Sequence, residues 1–206
     1  MKGSQEFWDK SAHRYARSPI RDERTYQEKL AITQAYLRPD WRVLEFGCGT
    51  GSTAMIHAAH VRQIIATDIS GKMLEIARSK ARSAGLANIS FQQGTLTSLD
   101  LEAESFDAVL GLNVLHLLDD PDAAVARVRE LLKPDGIFVS STALVAELNL
   151  FWRLAIALLQ WLGLAPYVNR LSKQALVALL TNAGFSVERQ WQPGKESVFI
   201  VARKCS

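Results

Sequence analysis

Apolar and polar positions follow two different periods along the chain, and each switch of period marks an element. Residues 5–17 and 22–37 carry helical spacing, the second with Tyr26, Leu30, Thr33 and Leu37 three and four apart and ending before Pro39. From Trp41 the texture changes to short continuous apolar runs. Residues 41–46 predict a strand, Gly47 to Gly51 a glycine loop, and 52–60, rich in Ala, a helix. A second strand is expected over 61–67, ending at Asp68, and a helix over 72–84 closed by Gly85 as a left-handed cap. Strands at 88–93 and 105–111, a helix at 121–132 with Pro121 in its first turn, and a strand at 136–141 continue the alternation. Ser172 is placed to cap a last helix, which Asn182-Ala-Gly184 ends. Strands at 185–191 and 197–203 follow, joined by the turn Gln192-Pro-Gly-Lys-Glu and therefore antiparallel. Strands alternating with helices at this spacing imply an α/β fold: a doubly wound, seven-stranded, mostly parallel sheet closed by an antiparallel hairpin.

Length adds a bound. At roughly 100–200 residues per domain, 206 residues make one domain with a full core. The expected division is a helical cap at 1–40, a core at 41–143, an apolar helical cover at 144–171, and the final helix and hairpin at 172–206. With 48% hydrophobic and 22% charged residues the chain buries enough surface to order itself, so extensive disorder is excluded. Two cysteines, Cys48 and Cys205, make no disulfide scaffold, and no apolar leader follows Met1, so a reducing, cytoplasmic location is expected. The net charge of +3 is spread among acids, which argues against a nucleic-acid partner. One stretch departs from the average: Leu154 to Ala165 holds no charge, yet is shorter than the ~20 residues needed to cross a bilayer.

The chemistry gathers at Val43-Leu-Glu-Phe-Gly47-Cys-Gly49-Thr-Gly51. Glycines between a strand and a helix let backbone amides approach a ligand, and the helix N-terminus favours an anion. Asp68, ending the next strand, stands where an acid bonds a ribose in mononucleotide-binding units. A dinucleotide would ask for G-x-G-x-x-G, but here Ser52 occupies the third glycine's place. Glu45, two residues before the first glycine, would also repel a pyrophosphate. It suits a ligand with an amino group and a sulfonium, as in S-adenosylmethionine.

These residues resemble the class I S-adenosylmethionine-dependent methyltransferases, and within them the small-molecule branch that includes ubiquinone and menaquinone C-methyltransferases. The resemblance implies a Rossmann-like fold, S-adenosylmethionine as cofactor and S-adenosylhomocysteine as product. It runs through residues 6–143 and reaches Ala183-Gly-Phe-Ser-Val187 and the hairpin. By resemblance, Glu45, Gly47, Gly49 and Gly51 hold the methionyl part, Asp68 takes the ribose hydroxyls, and Ile69 and Met73 pack near adenine. Gly94-Thr95-Leu96 replaces the family's Gly-Asp-Ala, so the Thr95 hydroxyl and the Leu96 amide are the candidates for the adenine edge. Asn113, near the end of the fourth strand, is a further contact. Phe7-Trp8-Asp9 to Tyr15 resembles the helix that closes over the cofactor, with Tyr15 covering the site.

His116 is the candidate catalytic base, since imidazole suits proton removal near neutral pH; the alternative is a histidine tucked under the following helix. His57 and His60, placed on the first core helix, lack the company of a metal site, and no metal is expected. Residues 144–168, with Trp152, Trp161 and Tyr167, are read as a greasy acceptor pocket, a membrane contact or a homodimer surface. The function expected is methyl transfer to a small hydrophobic acceptor such as a quinone precursor or lipid. A nicotinamide-dependent oxidoreductase and a non-catalytic cofactor sensor are the alternatives.

Overall fold

A computed structural model describes residues 2–161 and 164–205. Two helices open the chain, α1 (Lys2–Arg17) and α2 (Glu23–Gln34). The core alternates β1 (Arg42–Phe46), α3 (Ser52–Ala58), β2 (Gln63–Asp68), α4 (Gly71–Ser83), β3 (Ile89–Gln93), β4 (Phe106–Leu112), α5 (Pro121–Leu131) and β5 (Leu132–Ala143). Then come α6 (Leu150–Trp161), α7 (Lys173–Asn182), β6 (Phe185–Gly194) and β7 (Ser197–Lys204). Short polar side chains start four helices by accepting a bond from a first-turn amide: Asp22 from Thr25, Ser70 from Met73, Asp120 from Ala123 and Ser172 from Ala175.

The strands form one sheet in the order β3-β2-β1-β4-β5-β7-β6, parallel through β5, with β7 antiparallel to both β5 and β6. Side-chain alternation sends Leu44, Ile65, Phe138 and Ile200 to one face, against Val125, Val128 and Leu131 of α5 and Leu176 and Leu180 of α7. The other face carries Val43, Ile64, Val139 and Val201 against Ile32 of α2, Ala54 and Ala58 of α3 and Leu74 of α4. Burial on both faces is why these strands read as continuous apolar runs. Sequence order reverses between β1 and β4, and the crevice outside the strands' carboxyl ends opens there, as open α/β sheets place their sites.

Several expectations need correction. α1 begins at Lys2, ahead of residue 5, and α2 stops at Gln34, short of Leu37. α3 ends at Ala58, which leaves His60 beyond the helix, and β2 starts at Gln63 where 61 was expected. The segment Lys133-Pro-Asp-Gly136, where no strand was expected before 136, is a bulge within β5. Leu132 already pairs with Phe106, and pairing resumes at Ile137 with Ala108. Asp135 takes φ +61°, while Lys133 Nζ reaches Asp107 at 2.6 Å. β6 likewise runs through Gln192–Gly194 with register shifts, so the turn shrinks to Lys195-Glu196.

The apolar stretch gives a single helix, α6, with no buried residue: Phe151 is 70% exposed and Trp161 82%. Residues 162 and 163 of that stretch lie outside the described residues. No described helix is long and apolar enough to cross a membrane.

Candidate active site

A cavity of about 490 Å³ occupies the crevice, within the size range of small-molecule sites. α1 contributes Trp8 and Tyr15, the glycine loop Gly47 and Gly49, the end of β2 Asp68 and Ile69, and α4 Met73. Gly94 to Thr97 form the far end, and Leu112, Asn113 and Val114 the end under β4. The structure therefore brings together Tyr15, Gly47, Gly49, Asp68, Ile69, Met73, Thr95, Leu96 and Asn113 of the residues singled out in the sequence.

Three glycines of one loop do three different things. At Gly47, φ is +65° and an added Cβ would stand 2.5 Å from Val114 Cγ2, so the loop hugs the segment after β4. Gly49 faces the open cavity, with only Tyr15 Cε1 at 3.7 Å from such a Cβ. Gly51 does not line the cavity: its absent Cβ makes room for Phe91 and Ala77, at 2.9 and 3.0 Å. Its observed role is helix-to-sheet packing.

Two acids sit behind the glycine loop. Asp68 Oδ2 accepts from the Gly49 amide and Oδ1 from the Ser70 amide, both at 2.8 Å. Burial nevertheless raises its pKa, those two bonds opposing the shift. Glu45 is 3% exposed and its Oε2 has no partner. Burial first and the Asp68 charge second push it up to about 8. A buried carboxyl with one oxygen lacking a donor calls for a proton or a cation. The amino group of S-adenosylmethionine is such a cation, so the residues present fit the cofactor that the sequence resemblance implies. Glu45 itself does not line the cavity.

Three further expectations change. The Thr95 hydroxyl accepts from the Ser98 amide at 3.1 Å and shares a bond with Thr97, so it caps its own turn before it meets a ligand. His116 is absent from the cavity wall; its Nδ1 accepts from the Ala143 amide at 3.4 Å, and burial lowers its pKa to about 4. These contacts favour the tucked histidine over the base. Nor does any described residue of 144–168 line the cavity: its described apolar walls include Trp8, Phe46, Leu112, Val114, Leu117 and Leu118. Among the described residues no group of three His, Cys, Asp or Glu side chains is arranged to hold a metal ion.

The sequence reading missed two acids. Asp9 on α1 accepts from Ser70 Oγ at 2.6 Å and from the Lys72 amide at 3.1 Å, which pins α1 to the start of α4. No spacing along the chain links residue 9 to residue 70. Asp120, the cap of α5, lines the cavity, and Asp-Pro at 120–121 carried that signal.

Comparison with known proteins agrees with this geometry. Residues 43–136 match the family model of a methyltransferase domain. An uncharacterized methyltransferase of Bacillus subtilis, YcgJ, is 37% identical over 123 residues, which cover 58% of this chain and 49% of that protein. A ubiquinone biosynthesis O-methyltransferase of Cereibacter sphaeroides is 35% identical over 101 residues, or 49% of this chain and 40% of its own. The chain thus spans about half the length, or less, of these relatives. The crystal structure of YcgJ superposes with a TM-score of 0.74 at 21% identity, covering 87% of this chain and 99% of that one. Residues 43–136 thus resemble a methyltransferase domain, and the chain shares the fold of that solved structure.

Proposed function

We propose that the protein transfers the methyl group of S-adenosylmethionine to a small hydrophobic acceptor. The unpartnered Oε2 of Glu45, buried behind the glycine loop and near enough to Asp68 to feel its charge, is the observation that carries this reading. The cofactor supplies an already activated methyl group on its sulfonium. The chain then has to align and desolvate the reactants.

In this reading Glu45 holds the amino group, and Asp68, fixed by the Gly49 and Ser70 amides, presents its remaining lone pairs to the ribose hydroxyls. Ile69, Met73 and Leu96 give adenine an apolar slot, and the Thr95 segment closes its edge. Tyr15 and Trp8, edge to face at 6.2 Å, cover the opening and exclude water. Asn113 holds the unusual φ of +57° at the end of β4, where its backbone N–H donates to the Ser141 carbonyl at 2.7 Å. Strain of this kind concentrates at working sites. The apolar wall made by Leu112, Leu117 and Leu118 favours an acceptor with a greasy body. The resemblance to ubiquinone biosynthesis O-methyltransferases over half of this chain supports a quinone precursor or similar lipophilic metabolite.

The test is transfer of a labelled methyl group from S-adenosylmethionine into a lysate, separated afterwards into lipid and polar fractions. Label is expected in the lipid-extractable fraction. Label that never leaves the cofactor would refute methyl transfer, and label only in polar products would refute the hydrophobic acceptor.

A further inference from the structure

A second, smaller cavity lies beside the first, on the opposite side of Leu112 and Asn113, which line both. It is walled by α2, α3 and the carboxyl ends of β4 and β5, and its volume is about 40 Å³. A water-sized probe needs about 10–15 Å³, so the space admits a group of a few heavy atoms.

Its lining is rich in donors. Lys29 Nζ reaches Ser141 Oγ at 2.9 Å, and Ser141 Oγ donates in turn to Asn113 Oδ1 at 2.9 Å. None of the ion pairs among the described residues includes Lys29. Its partner in the cavity is therefore a neutral hydroxyl, and burial lowers its pKa. His57 is wholly buried, lines the cavity, and leaves both ring nitrogens without a partner. A neutral imidazole carries one N–H, and an orphaned donor of this kind is costly in a folded protein. Tyr26 and Thr53 share a hydroxyl contact of 3.2 Å on the same wall. No carboxylate is among the lining residues.

A cation, an orphaned imidazole and the hydroxyls of Ser141, Tyr26 and Thr53 around a space the size of a carboxylate describe an anion site. We propose that this cavity anchors a carboxylate carried by the methyl acceptor. The apolar body of the acceptor lies across Asn113 in the larger cavity, and Lys29 and the His57 N–H hold its acidic end. The proposal rests on the methyltransferase reading and narrows its substrate class to an amphipathic acid.

The test uses the full chain saturated with S-adenosylhomocysteine and titrated calorimetrically with benzoate and with benzamide, its neutral counterpart. Benzoate is expected to bind about tenfold more tightly, the gain from making a neutral hydrogen bond a charged one. Lys29→Met should erase that preference and leave S-adenosylhomocysteine affinity unchanged. Equal affinities in the wild type, no benzoate binding, or a preference that survives Lys29→Met would each overturn the assignment. Should Lys29→Met fold poorly, histidine-labelled wild-type protein decides: benzoate must shift the His57 ring resonance, and an unmoved resonance rejects the site. Failure of S-adenosylhomocysteine to bind would strike the methyltransferase reading instead, and the benzoate and benzamide comparison on the protein alone would still judge the anion site.

Discussion

Glu45 is held in a state that ordinary carboxyls avoid. Its pKa of about 8 lies far above the usual 4.5, so between those values the folded protein keeps a proton that the unfolded chain has released. The contribution of Glu45 to the stability of the cofactor-free protein therefore falls as pH rises through that window, and Asp68, also raised, adds in the same direction, while the buried His57 and His116, lowered to about 4, act oppositely below about pH 6.5. Denaturant unfolding at pH 6.5 and pH 8, above most of the histidine titration, should show the loss, and Glu45→Gln should lessen it; a wild type that loses no more than Glu45→Gln between these pH values would contradict the assignment. An ammonium brought against Glu45 reverses its preference, so S-adenosylhomocysteine binding at pH 7 should release a proton. Calorimetry in two buffers of different ionisation enthalpy would detect the release, and Glu45→Gln should abolish it. Asp68→Ala should weaken the same ligand at least about tenfold, from losing charged hydrogen bonds worth about 1.5–3 kcal/mol. His116→Gln, by contrast, should leave ligand affinity as it was. The imidazole faces the Ala143 amide, so any effect should be a lowered Tm.

Among the elements, the glycine loop separates a packing role from a binding role. Gly51→Ala sets a Cβ 2.9 Å from the Phe91 ring at φ +72°, and the strain should cost about 1–3 kcal/mol in chemical denaturation. Gly49→Ala meets only Tyr15, and its larger effect should fall on S-adenosylhomocysteine affinity. A reversed pattern would exchange their roles. The motif showed in the sequence where the glycines are, whereas their division of labour depends on Phe91 and Val114, which the chain brings in from elsewhere. The strands were legible because burial on both faces leaves an unbroken apolar signature. The bulge in β5 was hidden: Lys133-Pro-Asp-Gly136 has the composition of a turn, and Asp107, across the sheet, holds Lys133. α6 shows a different limit. Its apolar residues revealed that a greasy surface exists, but composition carries no direction, and the helix turns Phe151, Trp152 and Trp161 away from the cavity it was expected to roof.

At the scale of the molecule, the candidate site is completed by a segment that belongs to no strand. α1 covers the cavity with Trp8 and Tyr15 and buries Ser11 and Ala12, while Asp9 fastens it to Ser70 and the Lys72 amide at the start of α4. The sheet is knitted through β7 pairing with both β5 and β6, so α1 is better able than the core to open alone, as segments with few buried contacts do. A ligand bound beneath a cover stabilises the covered state by its own binding free energy. S-adenosylhomocysteine should therefore slow tryptic cleavage after Lys10, Arg14 and Arg17 in proportion to its occupancy, with little effect on sites in the core. Asp9→Ala removes the fastening without touching the cavity wall. It should speed that cleavage in the free protein and raise the ligand's Kd, while the midpoint of core unfolding moves little. Should cleavage of α1 prove insensitive to both the ligand and the substitution, the helix is a fixed part of the wall, and entry to the site must be sought along the Leu117–Leu118 rim instead.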